Sequence, residues 1–94
     1  MKWLEIIELR SANCNRKALE SQVQKLINEV DAESQEKTIK AYSRAGIDTD
    51  FSIHLNHYSR NAERSGSTLG LRLALLLKEY GLVNHSVWIE LISE

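Results

Sequence analysis

Stretches in which apolar and polar positions alternate trade places along this chain with stretches in which apolar residues recur every three or four positions. Trp3 to Leu9 is short, apolar-rich and bounded by the polar run Ser11-Ala12-Asn13-Cys14-Asn15, which predicts a strand. Leu19, Val23, Leu26, Ile27 and Val30 then fall at helical spacing and make one apolar stripe, with Asn13 or Asn15 as N-cap and the polar stretch Asp31 to Lys37 as its end. Thr38 to Arg44 alternates, Gly46 to Asp50 carries turn chemistry, and Asp50 to Tyr58 alternates again. Ser59 to Ser67 reads as a polar loop. Ser67 or Thr68 caps a second helix running to about Tyr80, with Gly81 as its C′ glycine and Leu82 folding back on Leu77. Val87 to Ile92 predicts the last strand.

The order strand, helix, strand, strand, helix, strand predicts an α+β fold. Right-handed crossovers put both helices on one side of a single sheet, in the antiparallel order 4-1-3-2. That is a two-layer ferredoxin-like plait, βαββαβ, spanning residues 1–94 as a single domain. One sheet face is then covered and the other left over. The expected covered face holds Leu4, Ile6, Ile39, Ala41, Phe51, Ile53, Leu55, Val87, Ile89 and Leu91. The expected open face holds Trp3, Glu5, Ile7, Tyr42, Arg44, His54, Asn56, Tyr58, Trp88, Glu90 and Ile92. Two tryptophans, two tyrosines and two isoleucines on one flat surface call for a cover, and a second copy of the chain supplies one by twofold symmetry.

A plait of this length with an open face of this kind resembles the dimeric α+β-barrel group, which includes small monooxygenases of antibiotic biosynthesis and haem-degrading relatives. The resemblance spans the chain through element order and the two-faced sheet. No catalytic motif matches residue by residue, so no catalytic residue is carried over. The pieces IDTDFSIHL and YGLVNHSVWIE also resemble those of small uncharacterised bacterial proteins.

Composition narrows the function classes. The formal net charge is −1, which gives no basic excess for a phosphate backbone, so no nucleic-acid partner is expected. The third strand also lacks the Lys/Arg-Gly-aromatic start of a sheet that stacks RNA bases. No apolar run approaches the roughly 18–20 residues of a membrane helix, and the N-terminus lacks the apolar length of a signal peptide, so a cytoplasmic location without membrane contact is expected. Cys14 is the single cysteine. It precedes a helix start beside Arg16 and Lys17, where a thiolate is favoured, but it lacks a second cysteine and a base.

The chemistry-bearing candidates are Trp3, Glu5, Tyr42, Arg44, His54, Asn56, Tyr58, Trp88 and Glu90. Trp3-x-Glu5 recurs as Trp88-x-Glu90 on strands expected to be neighbours. With His54 as a titratable base, this set makes either a pocket with aromatic walls or a dimer interface in which Glu5 and Glu90 pair with Arg44 or Lys40. His54 and His57, three apart on a strand, point to opposite faces and make no metal pair. His54 with Glu5 and Glu90 is the one conceivable metal set; neither a metal nor a cofactor is expected. His57 and His85 read as solvated or structural. The expected function is a non-catalytic homodimeric module that binds a partner or a small ligand, an aromatic one for choice. The alternatives are a cofactor-independent monooxygenase-like enzyme on an aromatic or quinol-like substrate, implied by the resemblance, and a regulatory ligand sensor.

Overall fold

A computed structural model describes residues 1–12, 16–33 and 39–91. The elements are β1 (Lys2–Ser11), α1 (Arg16–Glu33), β2 (Ile39–Ser43), β3 (Asp50–Tyr58), α2 (Thr68–Leu77) and β4 (Gly81–Ile89). The four strands form one sheet in the order β2-β3-β1-β4, with every neighbouring pair antiparallel. This is the expected strand order read from the other edge. The expectations for Cys14, for the caps at Asn13 and Asn15, for the side chain of Val30 and for Ile92 fall outside the described residues.

Both helices pack on one sheet face. Ile7, Leu9, Phe51, Ile53 and Leu55 from the sheet meet Leu19, Val23 and Ile27 from α1 and Leu73, Ala74 and Leu77 from α2 in one buried cluster. Each fully buried side chain of this size contributes about 1.5–3 kcal/mol relative to exposure. Leu71 and Leu75 lie off the apolar stripe of α2 and are exposed, so the buried side of this helix does not extend to them. Among the described residues no helix is long and apolar enough to cross a membrane.

Two boundaries differ from the sequence reading. The second helix ends at Leu77, and Gly81 opens a strand rather than closing a helix; Leu82 stays exposed instead of folding back on Leu77. Gly81 pairs with Ser11, and a Cβ there would run into the carbonyl oxygen of Arg10, so the close strand approach requires glycine. The last strand therefore starts six residues earlier than Val87, and Leu91 lies beyond it, fully exposed.

The larger correction concerns β1. Its helix-side face is Trp3, Glu5, Ile7, Leu9 and Ser11, all buried, whereas Leu4 and Ile6 face the open side. The expected parity of this strand is inverted. A buried charge is tolerated here because it is fully hydrogen-bonded.

Candidate functional site

The open face is built by alternation along the strands. β3 contributes Ser52, His54, Asn56 and Tyr58, β1 contributes Leu4, Ile6, Glu8 and Arg10, and the register puts Trp88 of β4 opposite Leu4. Tyr42, Tyr58 and Trp88 are 49%, 72% and 58% exposed, far beyond what a packed face allows. The face divides into two ends. At one, Leu4, Asn56, Tyr58, Trp88 and Glu90 line an aromatic groove of about 630 Å³, which Trp3 and His57 also border. At the other, Asp50 accepts from Arg10 Nε at 3.3 Å and Arg44 Nη1 at 3.1 Å. The Arg10 guanidinium foremost holds the Asp50 carboxyl below its usual range.

His54 lies between these ends and does not line the aromatic groove. Its Nε2 is 2.9 Å from Ser52 Oγ, and its ring is tilted against Tyr42 with centroids 4.8 Å apart. Trp88 Nε1 donates to Ser86 Oγ at 2.9 Å. The structure thus brings Asn56, Tyr58, Trp88 and Glu90 together, sets Tyr42 against His54 toward the other end of the face, and gives Arg44 to Asp50 rather than to Glu5 or Glu90.

Trp3 and Glu5 are on the opposite side of the sheet. The Trp-x-Glu repeat therefore does not share a face, because Leu4, not Trp3, pairs with Trp88. Nor can His54 join Glu5 as a metal ligand. Among the described residues no group of three His, Cys, Asp or Glu side chains is arranged to hold a metal ion.

Glu5 is instead the centre of a second constellation. It has no solvent exposure and accepts four hydrogen bonds. Ser67 gives two, from its backbone N–H to Oε1 at 2.9 Å and from its hydroxyl to Oε2 at 2.5 Å. His57 Nε2 lies 2.5 Å from Oε2, and His85 Nε2 lies 2.9 Å from Oε1. Burial pushes the Glu5 pKa up, but the two Ser67 bonds, then His57 and His85, outweigh it and hold the carboxyl below the ordinary glutamate range. An ionised carboxylate only accepts, so the network assigns a proton to Nε2 of each ring and leaves Nδ1 as an acceptor when the ring is neutral.

Local structure fixes each partner. Ser67 has extended backbone angles, φ −70° and ψ 162°, and its Oγ accepts from Gly70 N–H, so one side chain both caps α2 and binds Glu5. The negative charge sits where the α2 dipole favours it. His57 is clamped by Trp3, whose ring stacks on it at 4.0 Å and 19° and whose Nε1 donates to Ser59 Oγ at 2.8 Å. A carboxylate that fixes the tautomer and orientation of an imidazole is the arrangement of a histidine base. Sequence reasoning left His57 and His85 as solvated or structural and Ser67 as a plain cap. The available signal was the β3 alternation, which puts His57 on the same face as Phe51, Ile53 and Leu55.

No family model matches the chain, and no curated protein matches it. Among solved structures, the chain is similar to Rv0793 from Mycobacterium tuberculosis, with a TM-score of 0.66 and 21% sequence identity over 99% of this chain and 98% of that one. At that identity the likeness carries the α+β fold alone.

Proposed function

We propose that this chain is a ferredoxin-like plait of the dimeric α+β-barrel kind, acting as a non-catalytic homodimeric module that binds a partner or a small ligand. The observation that carries this reading is the open sheet face. Tyr42, Tyr58 and Trp88 stand exposed around Leu4 and Ile6 while both helices pack on the other side. A second copy covers that face, and the aromatic groove beside Trp88 and Tyr58 takes a flat apolar ligand. Placing a charge at the centre of the face tests it. Ile6→Lys leaves the helix-side core intact and is expected to halve the sedimenting mass at micromolar concentration, a loss of roughly 2 kcal/mol or more for a central contact. An unchanged mass, or a wild type that sediments as a monomer, counts against the sheet-face dimer.

A second reading is favoured by the Glu5–His57 pair beside the aromatic groove: a cofactor-independent monooxygenase-like enzyme on an aromatic or quinol-like substrate. His57, oriented by Glu5, is then the base. This reading expects oxygen uptake with a hydroquinone, lost in His57→Ala and retained in His54→Ala. Thermal stabilisation by aromatic ligands without turnover favours the binding module, or a ligand sensor built on the same groove.

A further inference from the structure

The two edges of the sheet are unlike. β2 is five residues long and carries Lys40 as its second residue, and a short charged edge resists pairing with another strand. β4 is nine residues long, Gly-Leu-Val-Asn-His-Ser-Val-Trp-Ile, with no charge and no proline. It runs in unbroken register with β1 from Trp3↔Ile89 to Ser11↔Gly81, so no bulge twists it away. Among the described residues none of the usual devices that blunt an edge is present.

The direction of its free backbone groups follows from one bond. Glu90 N–H donates to Lys2 carbonyl at 3.1 Å, so the even residues of β4 turn their N–H and C=O groups toward β1. The odd residues, Val83, His85, Val87 and Ile89, turn theirs outward. Among the described residues, none of these outward groups has a hydrogen-bond partner.

The side chains of the strand read the same in both directions. In an antiparallel pairing centred on His85, Val83 meets the partner's Val87 and His85 meets the partner's His85 on the helix side. On the open side, Leu82 meets the partner's Trp88 and Asn84 meets the partner's Ser86. Apolar residues oppose apolar ones and an amide opposes a hydroxyl, with no like charges across the seam. The register also pairs odd residues with odd, as the outward backbone groups require. Each His85 ring leans back to its own Glu5, which keeps the axis uncrowded.

We propose that β4 is a self-pairing edge, at which a second copy of this chain adds antiparallel across a twofold axis through His85 to make one eight-stranded sheet. All four helices of the pair then lie on one side, and the two open faces join into one continuous surface. Edge and face contacts meet at Trp88 but rest on different groups, the outward backbone of β4 and the side chains of the open face. Where both form, four chains assemble, and each contact is removable alone.

The test uses the full chain. Val87→Pro removes an outward N–H, and proline on an edge strand with its nitrogen toward solvent is tolerated, so the fold stays intact. The sedimenting mass is expected to halve relative to wild type, and Ile6→Lys reports the face contact independently. In a Cys14→Ser background, Asn84→Cys protein mixed with Ser86→Cys protein is expected to form an intermolecular disulfide on oxidation, while neither protein alone does so. An unchanged mass in Val87→Pro, or cross-linking no greater in the mixture than in either protein alone, overturns the pairing.

Discussion

Replacing Glu5 with Ala is expected to cost about 3 kcal/mol or more, because removing one member of a buried hydrogen-bonded set strands the others. The variant leaves Ser67 without its acceptor at the start of α2 and takes from His57 and His85 the group that orients them. A loss of that size is a large share of the stability of a domain of ordinary size. Chemical denaturation at neutral pH measures it, and a cost under about 1 kcal/mol would sink the idea that this carboxylate ties β1, β3, β4 and α2 together. The pH dependence carries the same signature. Glu5 has a depressed pKa in the folded chain, so its contribution is complete above the ordinary glutamate range and is lost as pH falls through the lower folded value. The gap between wild type and Glu5→Ala is therefore expected to be flat near neutrality and to close only in that acid window.

Why this hub escapes a reading of the sequence is instructive. Where alternation was clean, the fold was legible: Asp50 to Tyr58 is β3 with the expected bounds, and Phe51, Ile53 and Leu55 are buried as their parity requires. In β1 both parities are apolar, with Trp3, Ile7 and Leu9 on one and Leu4 and Ile6 on the other. Glu5 by itself argues for turning its own parity outward, since a charge is ordinarily turned to solvent. Carrying the strand through to Ser11 would have reversed it, because Glu8 and Arg10 place two charges on the other parity. The partners of Glu5 lie 52, 62 and 80 residues away, so no local spacing announces them. The open-face residues Tyr42, His54, Asn56, Tyr58 and Trp88 were legible for the opposite reason, each lying on a strand whose own alternation settles its side. The early start of β4 was hidden by Gly81, Asn84 and His85, which resemble loop residues but pair along the length of β1.

Gly70→Ala is expected to destabilise the protein by about 1–3 kcal/mol, although alanine is the better helix former. Gly70 is the third residue of α2, the position at which a capping box would carry a glutamate to close the helix start. Here the carboxylate arrives from β1 instead, and it fills the space a side chain would need. A Cβ on Gly70 would stand 2.7 Å from Cδ and 2.9 Å from Oε2 of Glu5, with Oε1 closer still. The cost is therefore not a property of the helix but of the carboxylate beside it, and it depends on Glu5 being present. With Glu5 already replaced by Ala, the clash is gone and only the intrinsic preference remains. Gly70→Ala in that background is expected to be neutral or to stabilise by up to about 1 kcal/mol. The change of sign across the double-mutant cycle is the measurement. Equal losses in both backgrounds would mean that Gly70 is held by the backbone of α2, not by the buried carboxylate.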